Sequence, residues 1–244
     1  MADIIELKNV NFSVQEGNVV QNVSVVFDMS KTTAIVGPSG GGKSTVLKLA
    51  AGLLVPDQGE VLYKGKNTAQ MNRAENLEFR RESAFVFQDA ALWANQSLYQ
   101  ILELPLKVHF PAMTWKERME KIKKVTAQVG YKKDLGVRPS RLSIGEQKLI
   151  GFARALLCDP VLLFLDEWTE SVDDTAADKL IDIVRNKQRE GFSIIFVTHD
   201  LRLIMELADY VVVIIDGKLS IKAPKEQMIG DLLHNEFFKI GIAS

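Results

Sequence analysis

Apolar and polar positions along this chain fall into short blocks of two kinds. Ile4 to Val14 alternates loosely between apolar and polar side chains, which predicts a strand of a partly exposed sheet. Glu16-Gly17-Asn18 is a turn, and Val19 to Phe27 reads as the return strand. Thr32 to Val36, Ser83 to Phe87, Val161 to Leu165 and Ser193 to Val197 differ, because each is a short, almost uninterrupted apolar run rich in β-branched or aromatic residues. That pattern predicts strands buried on both faces. Glu60 to Tyr63 adds a strand after the turn Pro56-Asp57-Gln58-Gly59. Tyr210 to Ile215, Asp216-Gly217 and Lys218 to Lys222 predict a hairpin around an Asp-Gly turn.

The stretches between these runs have a helical period. Ser44 to Ala51 predicts a helix closed by Gly52. Thr175 to Arg189 predicts another, with Leu180, Ile181 and Val184 on its inner face and Gly191 as its stop. Residues 201–208 predict a short helix, and the tail a partly exposed helical piece. Residues 67–82 are charged and read as a surface connection with some helix. From about Leu92 to Leu157 the pattern is mainly helical; Trp115, Met119, Ile122 and Val125 form a core-facing stripe, Gly130 closes that helix, and Gly145 to Leu157 forms the next. Buried strands alternating with helices predict an α/β fold with a parallel sheet covered on both faces. The expected organisation is one domain over 1–244, with an α/β core and antiparallel β part in 1–91 and 158–244 and an inserted helical subdomain at about 92–157.

Composition narrows the function classes. The 244 residues are 47% hydrophobic, enough for a substantial core, and the net charge of −1 argues against a strongly basic nucleic-acid surface. The single cysteine, Cys158, excludes an internal disulfide framework and reads as a buried structural thiol in a reducing compartment. No apolar stretch has the length of a membrane span, and Met1-Ala2-Asp3-Ile4 lacks a basic segment leading into an apolar one. The expectation is a cytosolic chain that reaches a membrane only through partners.

The chemistry starts at Gly37-Pro38-Ser39-Gly40-Gly41-Gly42-Lys43-Ser44-Thr45. A glycine, four residues, then Gly-Lys-Ser between a buried strand and a helix is the phosphate-binding P-loop pattern in its required context. Glycines let successive N–H groups face one concave nest, and the helix N-terminus adds unpaired donors and the positive end of its dipole. Lys43 would carry charge to the β- and γ-phosphates, and the Ser44 hydroxyl would ligate Mg²⁺. Three further polar groups stand at the ends of apolar strands, where open α/β sheets bind ligands. Asp166 fits a Mg²⁺-holding carboxylate and Glu167 a base that polarises the attacking water. Gln88 could sense Mg²⁺ and that water, and His199 could bond the γ-phosphate or orient Glu167. His109 and His234 have no such context and read as surface residues.

With these motifs in order, the sequence resembles the nucleotide-binding subunit of an ATP-binding cassette (ABC) transporter over essentially its whole length. The resemblance rests on the P-loop at 37–45, Gln88 as Q-loop, and Leu142-Ser143-Ile144-Gly145-Glu146 as signature motif. It extends to Leu162 to Glu167 as Walker B strand, Ser171-Val172-Asp173 as D-loop and His199 as switch histidine. It implies a P-loop NTPase (RecA-like) core, ATP and Mg²⁺ as cofactors, and ATP hydrolysis. It also implies a second ATP-binding subunit, as in a homodimer, whose Ser143 and Gly145 complete each ATP site in trans. Transmembrane permease subunits would be moved through the helical block, with the chain peripheral on the inner face of the cell membrane. At the adenine-stacking position the sequence has Val14, with Phe12 two residues before it on the expected strand face. Ile144 stands for the first signature glycine, Trp168 for a proline after Glu167, and Leu149 for a common arginine. Ile144 and Trp168 together suggest slow basal hydrolysis that depends on partners.

Phe87 to Trp93, with Ser97-Leu98 and Leu104-Pro105-Leu106, also resembles the Q-loop region of ATPases serving phospholipid transporters with MCE-domain partners. Lipoprotein-releasing and small-solute systems stay open, as do a soluble ABC ATPase of the iron–sulfur assembly type and an ATP-gated regulator with little hydrolysis.

Overall fold

The computed structural model describes residues 3–15 and 17–228. Two long antiparallel strands open the chain, β1 (Asp3–Val14) and β2 (Gly17–Asp28), followed by β3 (Thr32–Val36) and helix α1 (Lys43–Ala50). Strands β4 (Gln58–Tyr63) and β5 (Lys66–Asn67) and helix α2 (Arg73–Glu82) lead into β6 (Ser83–Val86). Helices α3 (Leu98–His109), α4 (Trp115–Gln128) and α5 (Ile144–Leu156) follow in succession. The chain then alternates β7 (Leu162–Asp166), α6 (Asp174–Arg189), β8 (Ser193–Val197) and α7 (Leu201–Leu207), and closes with the hairpin β9 (Tyr210–Ile215) and β10 (Lys218–Pro224).

Two sheets result. The smaller is antiparallel, in the order β2-β1-β4-β5. The larger runs β10-β9-β3-β8-β7-β6 and is parallel except for its edge strand β10. Because successive residues of a strand point to opposite faces, its fully buried strands feed two cores. Ile35, Leu162, Phe164, Ile195, Val197, Val212 and Ile214 join α1 and the antiparallel sheet, with Val46, Leu47, Ile5, Val23 and Phe27 as neighbours. Ala34, Val36, Leu163, Leu165, Phe196 and Val213 join a second core with Leu102, Ile122, Phe152, Leu180 and Ile204 from the helices. Helix α1 is thus covered by β structure on both sides.

The α/β fold agrees with expectation, and several local readings are corrected. Residues 73–82 form a regular helix, because Asn72 and Glu75 make a reciprocal capping box that satisfies two otherwise unpaired N–H groups. Trp115 leaves the predicted stripe: it is 60% exposed at the first position of α4, while Ile122 and Val125 are buried. His109 is half-buried at the end of α3, where its Nδ1 has no hydrogen-bond partner among the described residues and burial pulls its pKa down. Cys158 is buried, as expected. His234 and the tail after Met228 lie outside the described residues. No described helix is long and apolar enough to cross a membrane.

Candidate functional site

Strand register brings the candidate residues to one edge. Asp166 lies opposite Val197, Val86 opposite Leu165, and Ile35 opposite Val197. Each parallel strand therefore ends at the same level, and the residues just beyond are Gly37, Gln88, Glu167 and Thr198-His199.

The P-loop conformation depends on glycine at particular points. Gly37 has φ 144°, and a Cβ there would stand 2.0 Å from the Ile214 carbonyl oxygen. Gly42, the N-cap of α1 at φ 92°, would bring a Cβ to 2.7 Å from the Val19 carbonyl oxygen. The hairpin and the antiparallel sheet thus pack against the loop's backbone and hold it. The Lys43 side chain is buried, and its Nζ donates to the Pro38 carbonyl at 2.8 Å, closing the loop on itself. Burial lowers the Lys43 pKa, while the carboxylates of Glu167 and Asp166 oppose that shift.

Ser44 Oγ donates to Asp166 Oδ1 at 2.7 Å, and Lys48 Nζ lies 3.8 Å from the other oxygen. A hydroxyl next to a buried carboxylate at a phosphate loop is an oxygen donor set suited to Mg²⁺. No group of three or more His, Cys, Asp or Glu able to hold a metal occurs among the described residues.

Glu167 follows Asp166 in a left-handed conformation, φ 43°, with its N–H donating to the Val197 carbonyl at 3.2 Å. This turn brings its Oε1 to 2.7 Å from His199 Nε2. Glu167 is 15% exposed at its side chain and His199 41%, so the carboxylate is recessed behind an imidazole that reaches solvent. The Gln88 side-chain amide bonds the Glu170 carboxylate, which places it beside the same turn. The D-loop follows directly: Ser171 has φ 61°, Val172 packs on the helical core, and Asp173 caps α6 by accepting from the Ala176 N–H at 2.9 Å.

The signature residues form a separate surface. Ser143 caps α5: its Oγ accepts from the Glu146 N–H at 3.2 Å, and Glu146 Oε2 accepts from the Ser143 N–H at 3.0 Å. Glu146 also pairs with Lys133 at 2.5 Å. Leu142 anchors the turn against the core, and Ile144 projects outward, 55% exposed. The N–H groups of Ile144 and Gly145 open toward solvent at a helix start, a site for an anion. None of these residues contacts this chain's own P-loop by a hydrogen bond or ion pair among the described residues. Phe12 and Val14 differ in environment: a bulge falls between Phe12 and Ser13, Phe12 packs on the core, and Val14 is 49% exposed at the end of β1.

Two basic residues at the site escape a sequence reading. Lys148 is buried, with Nζ donating to the Glu170 carbonyl at 2.6 Å. Arg154 donates to the carbonyls of Ala91 at 2.6 Å and Ala90 at 3.0 Å. Both alanines have positive φ, 60° at Ala90 and 45° at Ala91, so the guanidinium holds a strained loop just after Gln88. The signal was the basic position within an otherwise apolar helix face. A groove of about 1020 Å³ lies at the opposite end of the sheet beside Asp159, Pro160 and Val161 and contains no motif residue.

The family model for ABC transporters matches residues 20–170. This chain belongs to the ABC transporter family, as an ATP-binding domain. Among its relatives, the L-cystine import ATP-binding protein TcyC of Bacillus subtilis is 30% identical over 92% of this chain and 92% of its own length. The phospholipid transport ATP-binding protein MlaF of Haemophilus influenzae is 30% identical over 93% of this chain and 86% of its own length. The nickel import ATP-binding protein NikE of Shigella flexneri is 33% identical, covering 90% and 81%. In structure, the dimeric ATP-binding cassette MJ0796 bound to ADP and Pi superposes with a TM-score of 0.83, at 26% identity over 91% of this chain and 99% of that one. The ABC cassette fold and the ATP-binding role stand on these likenesses together with the P-loop geometry above.

Proposed function

We propose that this chain is the ATP-hydrolysing subunit of an ABC transporter, working as a dimer that closes on ATP and opens after hydrolysis. The observation that carries the proposal is the pair of contacts at one strand edge, Ser44–Asp166 and Glu167–His199, each 2.7 Å. In this reading, residues Gly37 to Thr45 bind the phosphates, and Lys43 leaves Pro38 for the β- and γ-phosphates. Ser44, Asp166 and Gln88 would hold Mg²⁺, which would supply charge neutralisation for the bound phosphates. Glu167 accepts the proton of the attacking water, and His199 orients that carboxylate toward it. Leu142 to Glu146 and the D-loop Ser171 to Asp173 face the partner's nucleotide, with the 144 and 145 N–H groups as anion donors. The dimeric state of the similar MJ0796 cassette supports this arrangement. Val14 and Phe12 flank the adenine.

Membrane permease subunits would dock in the open groove of about 430 Å³ lined by Trp93, Gln100, Glu103, Leu104 and Lys107, next to the loop that Arg154 holds. The chain then sits at the inner face of the cell membrane, touching it only through partners, and Ile144 and Trp168 keep basal turnover slow until they bind. Phe87 to Trp93 and the likeness to MlaF favour a phospholipid cargo, although relatives named for cystine and nickel match equally well.

Glu167→Gln tests the core of the proposal. It should leave ATP binding intact, trap an ATP-dependent dimer on size exclusion, and cut hydrolysis by about 10²- to 10⁴-fold. Unchanged hydrolysis would remove Glu167 as the base. Purification of the tagged chain from membranes in gentle detergent should bring down a multi-span protein; soluble scaffold proteins alone would sink the transport role and favour the iron–sulfur assembly type.

A further inference from the structure

What surrounds the P-loop sets the direction in which a bound nucleotide runs. In the larger sheet β3, which leads into the loop, has β8 and then β7 on one side and β9 on the other. Asp166 ends β7, and Glu167 and His199 lie just beyond β7 and β8, so a reacting γ-phosphate belongs on that side. The nucleoside then leaves on the other side, toward the β9–β10 hairpin and the tip of β1 and β2. Close packing puts both tips against the loop. A Cβ at Gly42 would stand 2.7 Å from the Val19 carbonyl oxygen and one at Gly217 2.3 Å from it, and the Gln21 N–H donates to the Gly217 carbonyl at 2.8 Å. One strand further out, Phe12 lies opposite Val20, Ser13 opposite Asn18 and Val14 opposite Gly17.

Little at that tip can read a base. Phe12 is engaged by the core of α1 and the antiparallel sheet, and the exposed large aromatics among the described residues, Trp93 and Trp115, belong to the helical block. Val14 presents a branched aliphatic side chain, 49% exposed, without donor or acceptor. The polar side chains nearby are already used or face water. Ser13 gives its N–H, at 2.7 Å, and its hydroxyl to the Asp57 carboxylate, and Gln21 Nε2 donates to the Asp216 carbonyl at 3.1 Å. Asn18, Asp216 and Lys218 are exposed, and a hydrogen bond made there replaces one to water at little net gain. A site built to hydrogen-bond its substrate rejects an analogue by about 10⁴-fold or more, because buried polar groups are left unpaired, whereas apolar contact discriminates far less. The phosphate end is the opposite case, with a buried Lys43, backbone N–H groups and the Ser44–Asp166 pair.

We infer that this site holds a nucleotide by its triphosphate and is indifferent to its base, so that the chain hydrolyses GTP, CTP and UTP as well as ATP. In each case water attacks the γ-phosphorus and the bond from that phosphorus to the β–γ bridging oxygen breaks. The nucleoside diphosphate and phosphate leave, and the proton of the water passes to Glu167. This inference rests on the ATPase reading above and widens its substrate class.

The test measures phosphate release by the purified full chain with the magnesium salts of ATP, GTP, CTP and UTP. Values of kcat/KM should agree within about tenfold across the four, the scale of discrimination that weak apolar contact allows. Inorganic tripolyphosphate should compete with ATP, with an inhibition constant within about tenfold of the KM for ATP, since the base adds little. Val14→Tyr places a ring at the exposed strand end. It should lower KM for ATP and GTP by about fivefold or more, the low end of what one aromatic stacked on a base contributes, and change kcat by less than about twofold. A spread in kcat/KM wider than about tenfold, or a tripolyphosphate constant beyond that limit, means that the base is read and overturns the inference. An unchanged KM in Val14→Tyr means that the base does not lie at the end of β1, which overturns it as well. Each of these results leaves the ATPase reading intact, whereas a chain that hydrolyses none of the four nucleotides overturns both. If Val14→Tyr does not fold, as judged by circular dichroism, Val14→Phe takes its place, and the same fall in KM is required of it.

Discussion

Ser44 Oγ and Asp166 Oδ1 stand 2.7 Å apart although 122 positions separate them in the chain, so the P-loop helix and the β7 strand end meet at a single hydrogen bond. Asp166 is 4% exposed, and among the described residues its other oxygen has only Lys48 at 3.8 Å. The hydroxyl is therefore both a structural partner of a buried carboxylate and the group best placed to share a metal with it. Ser44→Ala should raise the magnesium concentration needed for half-maximal nucleotide retention by roughly tenfold or more, the size of one lost bond to a charged centre. Binding of ATP in the presence of a chelator should change little. Titrating a fluorescent ATP analogue with and without magnesium separates the two effects, and equal losses in both conditions would count against Ser44 as a metal ligand.

Lys43 trades stability for charge. Its ammonium is buried, and burial holds its pKa below 10.5. A lysine whose folded pKa is lowered costs stability while it is charged; that cost is fully present below the lowered pKa and fades as pH rises from there to the unfolded value. Lys43→Met removes the charge and keeps the packing. The variant should lose ATP binding, yet unfold at a denaturant midpoint equal to or higher than wild type at neutral pH. The gain should shrink as pH approaches 10.5. A clearly destabilised Lys43→Met would mean that the bond to the Pro38 carbonyl outweighs the desolvation.

Cys158 is the reverse case, a group that burial keeps neutral. Its thiol pKa is pushed up to about 11. At pH 8 the thiolate fraction is then lower than that of a free cysteine by about two orders of magnitude, and access is restricted as well. Native chain should react with a thiol reagent slowly and with one equivalent only on unfolding in denaturant. Fast labelling of the native chain would show that the segment after α5 opens.

Much of this architecture was legible because fully buried strands leave a strong mark. Thr32 to Val36, Leu162 to Asp166 and Ser193 to Val197 are buried over both faces, and the register brings Gly37, Asp166 and Thr198 at their ends to one edge. What could not be read was the function of single charged residues inside helices. The apolar surroundings of Lys148 and Arg154 in α5 mark them as inward-facing, but their partners are backbone carbonyls, which carry no sequence signal. Trp115 was misread for the opposite reason: helical spacing assigns it to the stripe of Ile122, but the first position of α4 overhangs the core. His109 lost its surface reading because its Nδ1 is covered by packing that no local pattern announces, leaving the residue half-buried.

Gly145 shows how a signature residue serves folding and function together. A Cβ at Gly145 would stand 2.9 Å from the Ala176 Cβ, on the first turn of α6. Real Cβ atoms do not approach so closely, so Gly145→Ala must push the start of α5 away from α6, at a cost of about 1–3 kcal/mol for an overpacked contact. The same displacement moves the Ile144 and Gly145 N–H groups that the proposed function turns toward the partner's nucleotide. Ala176→Gly removes the opposing methyl and reopens the space. The double variant Gly145→Ala with Ala176→Gly should therefore recover most of the stability lost by Gly145→Ala alone, apart from the smaller helix-propensity cost of the new glycine, about 1 kcal/mol or less. Chemical denaturation of the four chains measures the coupling, and ATP-dependent dimerisation measured on the same four should recover in parallel. Recovery of stability without recovery of dimerisation would show that the glycine is needed for bare backbone at the partner's nucleotide as well as for the fit between α5 and α6.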